Sequence, residues 1–228
     1  GNGAHVGLAK VNNAGEVSNG VAIADQIAYT IVEQSKVGDT RKMTLRIQAG
    51  NGVWWDFKLI SGGESPAAAI VGKWKMDPVE GALSVGPSAG SREWWFNTTA
   101  DVATRACFFD DTYTFSADGK FSIDMGTQTW LETWQGVGAD GCGTPKAPHI
   151  TGNNFTYEYS GTTLKIIGQG AHVALPKAVN AGELPNVAVP NDVTYQVASL
   201  TESNGVKKMT LHIQAGSGVW WTFKLISE

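Results

Sequence analysis

The chain has 228 residues, of which 42% are apolar, and a formal net charge of -4, so it is long enough to bury a core of its own. It contains no run of basic residues, so nucleic acid and anionic membrane surfaces are poor candidate partners. No apolar stretch approaches the roughly 20 residues that a membrane span requires, and no motif implies a cofactor.

The first part of the chain reappears at its end. The stretch IQAGNGVWWDFKLIS (47–61) matches IQAGSGVWWTFKLIS (213–227). The match extends upstream, so that residues 1–61 align with residues 168–227 and about half of the positions are identical. The period, about 166 residues, is the size of a whole domain.

This repetition predicts a domain organisation. Residues 1–61 would be the C-terminal part of an upstream repeat, residues 62–69 a linker of small residues, and residues 70–228 one complete repeat module. Neighbouring repeats would then be natural partners of the module. An alternative is a circular permutation, in which residues 1–61 are completed by a neighbouring chain.

Both copies carry a pair of adjacent tryptophans in a segment that alternates apolar and polar residues. In VWWDFKL (53–59) the alternation places Trp55 on the core side and Trp54 on the outer side, and in VWWTFKL (219–225) it does the same for Trp221 and Trp220. Because both members of a pair cannot point into one core, Trp54 and Trp220 are candidate contacts for a ligand or for a neighbouring module.

Other segments also predict strands joined by tight turns. The hairpins are DDTYTFSADGKFSI (110–123), NFTYEYSGTTLKIIG (154–168) and the C-terminal pair, and DVTYQVASL (192–200) is a further strand. No segment predicts a helix. Eight or more strands in about 160 residues indicate an all-β fold, an antiparallel, jelly-roll-like β-sandwich repeated in tandem.

The two cysteines, Cys107 and Cys142, predict a disulfide, since the rest of the chain looks extracellular. The alternative is a pair of buried thiols. No histidine or further cysteine lies at the spacing of a metal site. Calcium could be held by the carboxylates of Asp110, Asp111 and Asp118, although no calcium-binding loop motif is present.

The segment TWLETWQG (129–136) is the main candidate ligand site. Alternation in a strand would place Trp130, Glu132 and Trp134 on one face, with Gln135 beside them. A flat indole next to a carboxylate or amide suits a sugar, whose C–H bonds stack on the ring while its hydroxyls bond to the polar neighbour. The alternative is that the tryptophans fill the core.

A polar set recurs in both copies within the pattern GxGAHVxLxKxxNAGE. Its members are the pairs His5/His172, Lys10/Lys177, Asn13/Asn180 and Glu16/Glu183. The alternation of the neighbouring apolar residues turns His172 outward, so it is a candidate ligand contact. The alternative is a structured loop, in which the asparagine and glycines set turns and the glutamate caps a backbone amide.

Catalysis is not expected. A glycosidase needs two carboxylates about 5 to 10 Å apart, and only Glu93 and Glu132 lie near tryptophans in the sequence. No nucleophile motif, zinc motif or phosphate-binding glycine loop is present.

Several segments of the complete repeat resemble one type of bacterial module. They are WKMDPVEGALSVGP (74–87), WWFN, RACFFDDTYTFSADGKF, TWLETWQG, CGTPKAPH and the closing GVWWTFKL. Similar modules belong to secreted, polysaccharide-associated bacterial proteins, where they occur beside family 16 laminarinase-type glycoside hydrolases and in surface glycan-binding or adhesin-like proteins. The resemblance implies an extracellular or cell-surface location and a β-sandwich, and it supplies no catalytic residue.

Two functions follow as expectations. The first is a non-catalytic, carbohydrate-binding β-sandwich repeat whose partner is an oligosaccharide or polysaccharide. The second is a purely structural repeat of an extracellular adhesin or fibre, in which Trp54 and Trp220 pack one module against the next.

Overall fold

The computed structural model describes residues 5–13, 26–37, 40–61 and 66–228. The chain divides into two compact units, Gly1–Ser65 and Pro66–Glu228. The division falls inside the segment for which the sequence predicts a linker.

Strands account for most of the described secondary structure. They are β1 (Thr30–Val37), β2 (Thr40–Gly50), β3 (Val53–Ser61), β4 (Gly72–Met76), β5 (Leu83–Gly86), β6 (Trp95–Phe96), β7 (Thr112–Phe115), β8 (Lys120–Asp124), β9 (Thr129–Leu131), β10 (Gly141–Gly143), β11 (Gly152–Tyr159), β12 (Thr163–Ile167), β13 (Asp192–Ser203), β14 (Val206–Gly216) and β15 (Val219–Ser227). The helices are α1 (Pro66–Ile70), α2 (Thr99–Thr104) and α3 (Ala106–Phe109), with 3-10 turns at Lys10–Asn12, Thr133–Gln135 and Lys177–Val179.

The first unit contains a three-stranded antiparallel sheet in the order β1-β2-β3. The hairpin of β2 and β3 places Ile47 opposite Trp55 and Gln48 opposite Trp54. On the outer side of this hairpin, Arg46 forms a two-pronged ion pair with Asp56, at 2.6 and 2.7 Å. Both partners are exposed, so the pair contributes little to stability.

The second unit is a closed β-barrel. Its strands follow the order β14-β13-β12-β11-β8-β7-β4-β15, and β15 pairs again with β14, so that eight antiparallel strands close on themselves. The long strand β15 also pairs with β5 through Trp220–Phe223, and β6 continues the sheet from β5. A separate two-stranded ribbon joins β9 to β10.

The predicted sandwich is therefore wrong, and a tandem array of complete modules is not shown. The hairpins at 110–123 and 154–168 and the C-terminal hairpin are present as β7–β8, β11–β12 and β14–β15. Alternation reports only that one face of each strand is buried. It does not distinguish a sheet that packs on a second sheet from a sheet that closes on itself, because both hide a single face.

A single hydrophobic core serves the second unit. Its largest fully buried side chains include Trp74, Tyr113, Tyr195, Phe108, Phe115, Phe121 and Phe223. Facing aromatic rings lie within van der Waals range, as for Phe115 and Tyr157, whose centroids are 5.0 Å apart. The barrel interior is thus a packed core, as expected for eight strands.

Helices α2 and α3 contradict the expectation that no segment is helical. They are formed by Thr99–Thr104 and Ala106–Phe109. Helix α2 begins with a capping box, in which Thr98 accepts from the backbone of Asp101 while the Asp101 carboxylate accepts from the backbone of Thr98. The pattern T-x-x-D is a known helix-start signal and was overlooked. No helix in the described ranges has the length and apolarity to cross a bilayer.

The predicted disulfide is confirmed. Cys107 lies on α3 and Cys142 on β10, and their Cα atoms are 6.0 Å apart across the bond. Because β10 pairs with β9, the bond ties the β9–β10 ribbon to α3. This ribbon leads directly into the segment that holds the candidate ligand residues.

Candidate functional site

A buried ion cluster occupies one side of the candidate site. The Lys177 side chain is only 2% exposed, and its Nζ lies 2.8 Å from both carboxylate oxygens of Glu132 and 3.4 Å from Glu183 Oε1. Lys177 begins a 3-10 turn, so the loop that carries the recurring polar motif delivers it. Burying three charges is costly, and the attraction of both carboxylates to the shared lysine offsets part of that cost.

Neutral donors complete the cluster. Trp134 Nε1 donates to Glu132 Oε2 at 2.7 Å, and Asn180 Nδ2 donates to the same oxygen at 3.2 Å. Trp221 Nε1 lies 3.0 Å from both oxygens of Glu183. Burial raises the pKa of Glu183, although Lys177 opposes this shift. Glu132, which the sequence analysis proposed as a ligand contact, is therefore already engaged within the protein.

Cations stack on the indoles around this cluster. Lys177 Nζ lies 3.9 Å from the ring centroid of Trp221. The Arg105 guanidinium lies 4.1 Å from the ring of Trp130 and 4.9 Å from that of Trp95. Trp130 is only 8% exposed, so its ring packs on Arg105 and is not free to stack on a sugar. Sequence analysis missed Arg105, because cation–π partners distant in sequence leave no local pattern.

Trp134, the other tryptophan predicted to contact a ligand, lies outside strand β9. Strand β9 ends at Leu131, and Trp134 lies in the following 3-10 turn, so Trp130 and Trp134 do not share one strand face. Trp134 and Gln135 are partly exposed and line a groove of about 200 Å³. The other lining residues include Lys146, Pro148, His149 and Val187.

Two histidines lie behind this groove. The Nδ1 atoms of His149 and His172 lie 3.0 and 2.9 Å from the carbonyl oxygen of Gly170. Burial lowers the pKa of both rings, that of His172 to about 3, so both are neutral at pH 7. With Nδ1–H donating to Gly170, the Nε2 atom of His149 is an acceptor, and it has no hydrogen-bond partner among the described residues.

His172 itself was predicted to point outward, and that expectation is wrong. The side chain is 3% exposed and packs edge-to-face on His149, with the ring centroids 5.1 Å apart. Residues 168–179 form no strand, so the alternation used to orient His172 does not apply there. The other interpretation of the recurring polar set, a structured loop, describes the second copy: Lys177, Asn180 and Glu183 all bond within the protein.

The paired tryptophans divide largely as the alternation predicts. Trp221 is buried, and Trp54 is 54% exposed. Trp220 is partly buried, opposite Gln214 on one side and Gly86 on the other. Trp55 was expected in a core but is also partly exposed, and Lys10 Nζ lies 3.8 Å from its ring. The recurring Glu16 lies outside the described residues.

The aspartates considered for calcium do not share one environment. Asp110 and Asp118 are exposed, whereas Asp111 is buried and accepts a 2.5 Å hydrogen bond from Thr129. Burial raises the pKa of Asp111 to about 8, so it is largely protonated at pH 7 and is a poor ligand for a cation. Within the described ranges, no three histidine, cysteine or acidic side chains are grouped as metal ligands would be.

No protein-family model matches the chain, and no curated protein is similar enough in sequence to serve as a relative. The groove beside Trp134 and the chemistry of its lining residues are therefore the features that point to a function.

Proposed function

We propose that the barrel unit is a non-catalytic carbohydrate-binding module that holds one end of a glycan in the groove beside Trp134. The observation that carries the proposal is the joint placement of Trp134 and Gln135 in the wall of an open groove. An indole face can stack on a sugar ring, and the NH2 group of Gln135 can donate to a hydroxyl, while its carbonyl oxygen accepts from the backbone N–H of Glu132 at 2.9 Å.

Further polar groups support this choice of ligand. Lys146 and His149 line the same groove. Lys146 is exposed and can reach a ligand, whereas the Nε2 atom of His149 is buried and is not open to the groove. Both are neutral or cationic, so no carboxylate opposes binding to hydroxyl-rich or acidic sugars. Pro148 and Val187 supply apolar wall against which C–H bonds of a sugar can pack.

The size of the groove defines the ligand more closely. Its volume of about 200 Å³ is below the roughly 300–1,000 Å³ of drug-sized pockets. Trp130 is buried, so the two-ring platform that the sequence suggested is reduced to Trp134 alone. A single exposed ring suits one terminal sugar unit, with affinity on the order of millimolar to micromolar.

The ion cluster supports a binding rather than a hydrolytic role. Glu132 and Glu183 share Lys177 and accept indole N–H bonds, so their oxygens are occupied within the protein. A glycosidase needs one carboxyl group free to donate a proton and another free to act as base or nucleophile. The disulfide is typical of an oxidising compartment, which supports a secreted or cell-surface bacterial protein.

A second candidate is the structural role in an extracellular adhesin or fibre. Its support is the exposure of Trp54, whose indole is 54% exposed and therefore available for contact with another protein. In that case the tryptophan would contact another protein and the groove would have no ligand.

The experiment is calorimetry of the full chain with oligosaccharides of increasing length, preceded by a glycan array to choose them. Val187→Trp fills the groove without removing a hydrogen bond, and Lys146→Ala removes an exposed charge, so both variants should fold. We expect Val187→Trp to reduce affinity at least about tenfold. Trp94→Ala is the matched control, because Trp94 is exposed and does not line the groove.

Two results would reject the proposal. If the folded chain bound no extracellular glycan on the array, the carbohydrate function would be wrong and the structural role would stand. If binding were unchanged in Val187→Trp but lost in Trp94→Ala, the ligand would lie on a different surface.

A further inference from the structure

The three-stranded sheet of the first unit has the same internal design as part of the barrel. Its strands β1, β2 and β3 correspond to β13, β14 and β15, and the pairings agree residue by residue. The irregularity in β1 between Ile31 and Glu33 recurs in β13 between Val197 and Ser199. Both hairpins also shift register just before the turn, at Gln48 and at Gln214.

The loop that precedes each sheet also agrees. In the first unit, the Tyr29 hydroxyl lies 3.0 Å from the backbone nitrogen of Val6. In the barrel, the Tyr195 hydroxyl lies 2.9 Å from the backbone nitrogen of Val173. The residue after each valine has a positive φ, +69° at Gly7 and +60° at Ala174. The local structure of this region is therefore the same in both units.

The two sheets differ in what covers them. Phe223 and Leu225 are fully buried in the barrel, whereas their counterparts Phe57 and Leu59 are partly exposed. Met209 is buried, and Met43 is partly exposed. The inward residues Leu45, Ile47 and Ala49 of β2 are buried, as their counterparts in the barrel are. The first sheet thus has the inward side chains of a barrel interior, but those of β3 and of the start of β2 are less buried than in the barrel.

The barrel shows which segment provides that burial. The sheet of β13, β14 and β15 is closed by the five strands β4, β7, β8, β11 and β12, which all lie between residues 72 and 167. Strand β12 pairs with β13, and β4 pairs with β15 through Leu225–Met76 and Ile226–Lys75. In the described part of the first unit, β1 and β3 each pair with β2 alone.

We propose that the sheet of the first unit is an acceptor for a five-stranded segment of the sequence type of residues 66–167. Among the described residues, 30–61 and 192–227 each form a sheet that fits such a segment, and the segment of residues 66–167 is held by the second sheet. An added segment closes the first sheet into a second barrel. Addition of strands to an exposed sheet edge, with pockets for alternate side chains, is an established mode of protein recognition.

The register of the complex follows from the barrel. Leu59 would lie opposite Met76 of the added segment and Ile60 opposite Lys75, as Leu225 and Ile226 do within the chain. The interior faces would then exclude water from Phe57 and Leu59. This proposal is independent of carbohydrate binding, because it concerns the first unit alone.

The test uses the full chain and a separately produced polypeptide of residues 66–167 as the probe, isotope-labelled and refolded together with it. Hydrogen exchange followed by mass spectrometry should show amides of residues 53–61 slowed roughly tenfold or more on complex formation. Phe57→Asp in the full chain places a charge on the inward face and should abolish the effect. Lys58→Asp changes the adjacent outward residue and should leave it intact.

A second measurement fixes the register and guards against misfolding of a variant. Ile60→Cys in the full chain and Lys75→Cys in the probe should form a cross-link, because their positions face each other in the expected pairing. If the probe binds residues 192–227 but does not cross-link to Ile60→Cys, then it only replaces the corresponding strands of the existing barrel. That result, or an absence of binding, would overturn the proposal.

Discussion

Residues 30–61 and 196–227 are two versions of one sheet in different surroundings. They share strand order, pairing register and a lysine stacked on the inward tryptophan, at 3.8 Å for Lys10 over Trp55 and 3.9 Å for Lys177 over Trp221. They differ in the burial of several inward side chains, such as Phe57 and Phe223, and among the described residues five further strands close only the second sheet. The comparison shows that local sequence specifies the hairpin and its cation–π contact, whereas the burial of the same side chains depends on strands that are distant in sequence.

The two environments imply different energies for the same residues. A side chain removed from water contributes roughly 25 cal/mol per Å² of apolar area, so Phe223 and Trp221 stabilise more than Phe57 and Trp55. The same substitution made in both sheets therefore measures how much free energy of unfolding the closure of the barrel contributes at that position. Hydrogen exchange resolved by peptide can report each sheet separately within one chain.

The largest effect is expected at the inward tryptophans. Trp221→Ala removes a buried ring and leaves the Glu183 carboxylate without its indole donor, so the barrel should lose about 5 kcal/mol of its free energy of unfolding. Trp55→Ala removes a ring that is partly exposed and should cost about 2 kcal/mol or less. Denaturant unfolding followed by peptide-resolved exchange measures both. Equal losses of free energy of unfolding in the two variants would show that closure of the barrel does not increase the stabilisation by the inward tryptophan.

The next comparison concerns the two lysines. Lys177→Met leaves Glu132 and Glu183 close together in a buried site without their shared cation, at a cost of about 4 kcal/mol. Lys10→Met removes a partly exposed cation over Trp55 and should cost about 1 kcal/mol.

The lysine variants also predict a dependence on pH. Without Lys177, the already raised pKa of Glu183 rises further, so the folded variant takes up a proton that the unfolded chain has released. The loss of free energy of unfolding in Lys177→Met, relative to the parent, should therefore be smaller at pH 4 than at pH 8. An equal loss of stability at both pH values would mean that Glu183 stays charged in the folded variant even without Lys177.

The disulfide lies within the barrel, so its removal should lower the stability of the barrel and leave that of the first sheet unchanged. Opening a loop of 35 residues by Cys107→Ser and Cys142→Ser together should destabilise the barrel by about 3 kcal/mol, chiefly through the unfolded chain. Exchange of residues 40–61 should not change. If the double variant also increased exchange in that sheet, the two units would not be thermodynamically independent.

Much of the fold could be predicted from the sequence, and closure could not. Alternation located the hairpins of β7–β8, β11–β12 and β14–β15, because a strand with one buried face has a two-residue period. Whether eight strands close depends on twist and on the pairing of β15 with both β14 and β4, and no local pattern records that pairing. The helix at Thr99–Thr104 was predictable from its capping box and was missed.

The candidate site was predictable only in part. Sequence identified Trp134 and Gln135, and both line the groove. It also proposed Trp130 and His172, which are buried. Trp130 lies within β9, where alternation assigns a face but not what covers it, and His172 lies in a loop, where alternation does not apply. Contacts such as Arg105 on Trp130 depend on the tertiary arrangement, so the sequence could not show that the Trp130 ring was already occupied.

The strongest dependence on pH is expected at Asp111, which has no counterpart in the first unit. Burial raises its pKa to about 8 from an ordinary 3.8, so between about pH 4 and pH 8 the unfolded chain has released a proton that the folded barrel retains. The free energy of unfolding of the barrel should therefore fall as pH rises through this window. Asp111→Asn removes the ionisable group and keeps an acceptor for Thr129, so it should be more stable than the parent at pH 8, by at most about 5 kcal/mol, and nearly equal to it at pH 4. Unfolding curves of both proteins at the two pH values, with exchange of residues 40–61 as the internal reference, decide the matter. Parallel pH profiles for parent and variant would show that the Asp111 carboxylate is charged in the folded barrel.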